Sequence, residues 1–480
     1  MAQAYRGNDK LIFGIVLAVV TFWLFAQTTL NVAPTMRDEL RITESMTNIA
    51  VSITALFSGI FIVVAGSLAD RLGRVKLTYV GLALGILGSL LIAISPSGTV
   101  IFLMTGRIIQ GLSAACIMPA TLALMKAYFD GRERQRALSF WSIGSWGGSG
   151  LAALFGGLVA SSLGWRWIFW FSILVAVVSF LLLKGTPESK VQSTQESRFD
   201  WYGFVAFIIA MLAVNIVIGQ GATLGWLSPL IVALVVVFVI AVVIFFKIES
   251  GNANGFVDLT LFKNKTYSGA TLSNFLLNGA AGTLLVALAL VQQAAGLSSL
   301  QSGLLTVGYL VAILSTIRVG EKLLQKMGAR KPMLIGCAIT ATGILLTTFT
   351  FLLARQYMIV AFVGFTLFGV GLGFYATPST DAALSNVPDD KAGAASGIYK
   401  MASSLGAAFG VALSAAIFTA LSKLDNSFTA MSDLFLGRSD NVTIRFAAAM
   451  ALLFNVIMVI IAIVAIIVTV PKDDSRARVV

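Results

Sequence analysis

GSLADRLGRVK, residues 66 to 76, closes one apolar run and opens another. VSITALFSGIFIVVA precedes it and LTYVGLALGILGSLLIAI follows it. Each belongs to a run of about 18 to 25 residues, the length a helix needs to cross a bilayer. The charged stretch between them is therefore a tight turn at a membrane surface, and its neighbours are two antiparallel spanning helices.

The same reading extends along the whole chain. Apolar runs cover 11–33, 47–68, 77–95, 100–125, 137–161, 165–183, 201–219, 228–247, 267–290, 301–318, 333–353, 357–379, 394–421 and 443–470. This predicts an all-α polytopic membrane protein with fourteen spans. The first run exceeds a signal peptide's apolar core and lacks a small-x-small cleavage site, so it is expected to be retained. An even count puts both termini on one side, and about 25 of the 33 Lys and Arg residues fall on that side. The positive-inside rule then makes both termini cytoplasmic.

Composition agrees: of 480 residues, 58% are hydrophobic and 11% charged. Soluble domains carry about 25% charged residues. The net charge of +12 is spread in short clusters between apolar runs. It suits membrane orientation, with no basic domain to bind nucleic acid. The absence of histidine removes His-based dyads, metal sites and proton relays. Cys116 and Cys337 lie inside apolar runs and suggest no disulfide. No phosphate loop is present, so any energy input comes from a gradient. No cofactor or metal is implied, and without paired carboxylates an enzyme is disfavoured.

A weaker echo of the first turn, RVGEKLLQKMGARKPM at 318–333, joins the tenth and eleventh runs. If the two turns correspond, the chain is a duplication. A first six-helix half at 1–183 and a linker at 184–200 lead to an inserted helix pair at 201–247. A second six-helix half at 248–470 and a tail at 471–480 follow.

Charge inside the spans marks candidate sites. Arg107 sits in VIFLMTGRIIQG and shares a helix face with Gln110, Gly111 and Ala114. It faces the protein interior or a water-filled cavity; the alternative is an arginine near a helix end reaching the surface. In the 66–76 turn, Arg71, Arg74 and Lys76 can be topology signals, but Asp70, beside glycines, needs another reason. On the fifth run Gly144, Gly148, Ala152 and Gly156 recur every four residues, a smooth ridge for close helix contact or for sliding. Trp23, Gln27 and Asn31 lie one turn apart on the first run, as do Asn274 and Asn278 on the ninth. Tyr309 and Tyr375 fall in the tenth and twelfth. These neutral polar and aromatic groups either line a substrate cavity or bond between helices.

The pattern G-x-L-A-D-R-x-G-R, here Gly66, Leu68, Ala69, Asp70, Arg71, Gly73 and Arg74, resembles the signature loop of the major facilitator superfamily. Arg107, Gln110 and Gly111 resemble its R-x-x-Q-G pattern, which the family implicates in proton coupling. WRWIF at 165–169 and the fourteen spans resemble its fourteen-span drug:proton antiporter branch. ITALFSG, QGLSAACIMPATLA, SIGSWGGSG and ATPSTDAALSN look like the quinolone and multidrug exporters of that branch, and the likeness covers essentially the whole chain.

The resemblance implies a major facilitator fold and proton-driven export of amphipathic drugs across a bacterial cell membrane by a monomer. It implies proton-coupling or gating roles for Arg107, Gln110, Asp70, Arg71, Gly73 and Arg74, with Asp70 latching onto the N-terminal end of the thirteenth helix near Ala394 to Gly397; Asp381, near a cytoplasmic helix end, is a further candidate for protonation. Two departures stand out. The antiporter motif on the fifth helix keeps Gly156 and Gly157 but has Ala152 and Ala153 in place of Gly-Pro. The first helix, AQTTLNVAP, lacks the acid often found there, and no Asp or Glu lies well inside any span. With Arg107 unbalanced, zwitterionic or neutral substrates are favoured over simple cations. The alternative is a lipid or amphipathic-metabolite translocator without proton coupling.

Overall fold

A computed structural model describes residues 6–191, 200–251, 259–295, 304–422, 435–436 and 441–472. Positions 192–199 of the linker, 301–303 of the tenth predicted span and 473–480 of the tail lie outside the described residues. Among those described there are helices and no strands.

A helix falls on each of the fourteen predicted spans. They are α1 Asp9–Leu40, α2 Glu44–Leu72, α3 Arg74–Ala93 and α4 Ile101–Tyr128. Next come α5 from Gly131 to Ser162, α6 Arg166–Leu183, α7 Trp201–Leu224 and α8 Pro229–Gly251. The last are α9, broken into Lys265–Gly279 and Gly282–Ala295, α10 Val307–Met327, α11 Arg330–Thr347, α12 Ala354–Ser385, α13 Ala392–Ser422 and α14 Val442–Thr469.

Eleven of these are long and apolar enough to cross a membrane unaided, and bent α5 makes a twelfth. The two that fall short are α10, whose second half carries Arg318, Glu321, Lys322 and Lys326, and α11, which starts with Arg330 and Lys331. Both flank the second charged turn, so the charge that marks the turn dilutes the apolar signal beside it.

The described chain gathers into two compact units: 1–217 with 227–264 and 383–401, and 218–226 with 265–382 and 402–480. In the first, α4 packs along α2 and α3. Its core joins Phe25, Met36, Ile92, Leu103, Trp165 and Phe169. In the second, α14 packs along α9 and α11, around Leu290, Phe365, Tyr357 and Leu452. The outward faces of α8 and α14 stay apolar, with Val236, Ile240, Ile460 and Val468 exposed, as a lipid-facing surface requires.

Both charged turns hinge on glycine. Gly73, between α2 and α3, has φ +121, and a Cβ there would meet the Glu188 carboxyl at 2.4 Å. Gly328, between α10 and α11, has φ +73. A positive φ is open to glycine at little cost, which lets the chain reverse within one or two residues.

Candidate gating and substrate sites

Asp70 ends α2 only 5% exposed. A buried carboxylate needs its oxygens satisfied, and four donor groups from three residues do so. Arg74 donates from Nε at 3.0 Å and Nη2 at 2.8 Å. The backbone N–H groups of Gly393 and Ala394, in the first turn of α13, donate at 2.9 and 3.0 Å. Those N–H groups have no partner within their own helix and carry its positive end. The approach is close because Gly66 and Gly393 face each other: a Cβ on Gly66 would stand 2.3 Å from the Gly393 carbonyl oxygen.

The segment leading into α13 is held at further points inside the first unit. Arg74 also donates to the Asp389 carbonyl. Lys126 donates to the Val387 carbonyl and pairs with the Asp389 carboxylate at 3.1 Å. Arg134 reaches Ser385 Oγ at 2.7 Å. Glu188 accepts from the N–H groups of Val75 and Lys76, both at 2.9 Å, and so caps α3. Arg71 is exposed and outside this cluster, and Asp381 is buried in the second unit, on α12.

Arg107 is 1% exposed and fully engaged. Its Nε donates to the Ala50 carbonyl at 2.8 Å, and Nη1 to the Ala26 carbonyl at 2.8 Å, Thr29 Oγ1 at 3.0 Å and Gln110 Oε1 at 2.9 Å. Nη2 reaches the Val51 carbonyl at 3.2 Å. The guanidinium thus ties α4 to α1 and α2 through backbone oxygens. Gln110 passes the network on to Ser89 Oγ at 3.2 Å. Beside it is a void of about 10 Å³ lined by Thr21, Ser89, Gln110, Ser113 and Ser172, the scale of one water.

The Ala26 carbonyl ends a π turn, Thr21–Ala26, inside α1. A second π turn, Ile143–Gly147, interrupts α5, and the two turns touch. The glycine ridge of α5 is what fits there. A Cβ on Gly144 would meet Val16 at 3.2 Å, on Gly148 Trp23 at 3.2 Å, and on Gly156 Thr28 Cγ2 at 2.3 Å. Gly157 faces away, with nothing within 4 Å. Along the same stretch of α1 the Trp23 indole N–H is buried without a partner among the described residues. Gln27 is half-buried and Asn31 exposed.

In the second unit the predicted polar residues of α9 and α12 join local networks. Tyr375 OH lies 2.7 Å from Ser273 Oγ and accepts from Ser379 at 2.9 Å. Asn274 donates to Ser403 Oγ at 2.6 Å, and Asn278 to Asn274 Oδ1 at 2.9 Å. Tyr309 stacks on Phe368, centroids 5.5 Å apart, apart from that network.

Sequence reasoning passed over several charges. Arg445, at the start of α14, donates to the carbonyls of Thr350 at 2.6 Å, Leu436 at 2.9 Å and Leu352 at 2.8 Å. Lys126 and Lys400 are also buried cations. A scan for Lys and Arg within the same helices would have found all three.

Comparison with known proteins places this geometry. The sequence pattern of the Major Facilitator Superfamily matches residues 11–411 and 270–479. The chain is 51% identical over 473 residues to the Quinolone resistance protein NorB of Staphylococcus aureus strain COL, covering 98% of each chain. It is equally similar to that of strain Newman. Among solved structures it resembles the proton:xylose symporter XylE bound to 6-bromo-6-deoxy-D-glucose, with TM-score 0.65, 16% identity and 96% of each chain covered. It also resembles the human organic anion transporter MFSD10 (TETRAN), with TM-score 0.56 and 15% identity over 94% of this chain and 98% of that one. At those identities the two structures speak for the fold alone.

Proposed function

The chain belongs to the major facilitator superfamily, and from that premise we propose that it is a drug exporter of the bacterial cell membrane. It moves amphipathic compounds such as fluoroquinolones outward in exchange for protons. The observation that carries this reading is the 51% identity over 98% of both chains to a quinolone resistance protein. The neutral, aromatic and amide-rich face of α1 suits such drugs: Trp23, Gln27 and Asn31 offer an apolar body with few fixed polar groups.

In this reading transport proceeds by alternating access, with the termini and the 66–76 turn on the cytoplasmic side. Asp70 is the latch. Its carboxylate holds the first turn of α13, and release of that contact opens the cytoplasmic path. Arg107 fixes the π turn of α1 beside α5, so that the seam of small residues between them keeps its shape. Each side of the cycle then presents the drug to one compartment at a time.

The test is cellular. Expression in a quinolone-sensitive bacterium should lower norfloxacin accumulation, and collapsing the proton gradient should restore it. Accumulation that expression leaves unchanged would contradict the proposal.

A further inference from the structure

Five cations are buried among the described residues: Arg74, Arg107, Lys126, Lys400 and Arg445. Four have oxygen partners. Arg74 pairs with Asp70, Lys126 with Asp389, and Arg107 and Arg445 with backbone carbonyls. Lys400 differs. It is 6% exposed, and its ammonium stands 4.2 Å from the centroid of the Trp141 ring and 5.9 Å from that of Tyr399. Among the described residues it has no carboxylate in ion-pair range.

The seat is built. Trp141 is 1% exposed, and its indole N–H donates to Thr121 Oγ1 on α4 at 3.0 Å, which fixes the ring face toward α13. One turn before Lys400, the Ser396 hydroxyl is buried and has no hydrogen-bond partner among the described residues. Lys400 lies eight residues past Ala392, where α13 begins. The Asp70 contact is at Gly393 and Ala394, six to seven residues before Lys400, roughly 10 Å away at about 1.5 Å per residue. All of these residues belong to the first unit.

A cation held over a ring face is attracted by the ring's quadrupole, a contact weaker than the ion pair it can be exchanged for in a low-dielectric setting. We propose that Lys400, resting on Trp141, is the recognition site for the carboxylate of an amphipathic substrate, with the Ser396 hydroxyl as a second donor. Binding exchanges the cation–π contact for an ion pair. This assignment rests on the export reading and gives that reading its charge selectivity. Arg107, whose donors are occupied, is then a positioning residue.

The experiment measures binding of norfloxacin and of its ethyl ester, in which the carboxylate is masked, to the purified full-length protein. Wild type should bind the acid roughly tenfold or more tightly than the ester. Lys400→Met should remove that preference by weakening the acid alone, and Lys400→Arg should keep most of it. Equal affinity of wild type for the two compounds, a measurement that needs no variant, would overturn the assignment. Equal loss of both compounds in Lys400→Met would overturn it too. In either case the export reading survives if drug still moves. Wild type that binds neither compound would overturn both.

Discussion

Arg107 and Asp70 bury charge by different means. Arg107 disperses its charge over carbonyls of α1 and α2, whereas Asp70 concentrates its charge on Arg74 and a helix N-terminus. Removing one partner from such a site costs about 3–5 kcal/mol. Arg107→Lys keeps the charge but lacks the planar fork. We expect a lower melting midpoint in detergent and an equal fall in transport of norfloxacin and its ester; a loss confined to the acid would give Arg107 the selectivity assigned to Lys400. Asp70→Asn keeps shape and loses the ion pair. Transport assays at matched expression should show roughly tenfold slower export, and an unchanged rate would remove the latch from the mechanism. Both residues were legible because charge in or beside an apolar run stands out. Their partners were not, since a backbone carbonyl has no sequence signature. Lys400 was passed over for a related reason: its partner is a ring on a distant helix, and nothing near it in sequence announces the pairing.

The seams between helices depend on small residues, but not equally on all of them. A methyl on Gly66 would run into a backbone oxygen at 2.3 Å, which no side-chain rotation can relieve. A methyl on Gly157 would enter open space. Gly66→Ala should therefore disrupt the α2–α13 contact and reduce export, while Gly157→Ala keeps wild-type rate and expression. The reverse order in a transport assay would contradict the packing described. The positions of the helices were readable from apolar length alone, and the ridge on α5 from its spacing of four. The π turns of α1 and α5 were not, because an extra residue in a turn follows from contact between two helices and neither sequence alone specifies it. Charge within α10 and α11 shows the limit of hydropathy as a guide, since helices beside a charged turn lose apolar character.

Across the whole chain, each of the two glycine-hinged turns has a buried acid on the helix that leads into it, Asp70 three residues before Gly73 and Glu321 seven before Gly328, at 5% and 3% exposure. Glu321 is held by Arg318 and by Gln325 at 3.0 Å, all within its own helix. Asp70 reaches across to another helix. Under the latch proposal Glu321→Gln should therefore slow export less than Asp70→Asn when the two are assayed side by side. The likeness of the two turns was visible as a weak echo in sequence; this asymmetry was not, because it depends on where the first turn of α13 arrives. In the proposed function drug and proton move in opposite directions. Its most direct test follows norfloxacin and internal pH together in liposomes holding the purified protein, under an imposed proton gradient. Norfloxacin moving against the proton flux, with a matching pH change that slows roughly tenfold together with drug movement in Asp70→Asn, is the expected result. Drug movement indifferent to the gradient, with no accompanying proton flux, would contradict the claim and leave a facilitator or lipid translocator in its place.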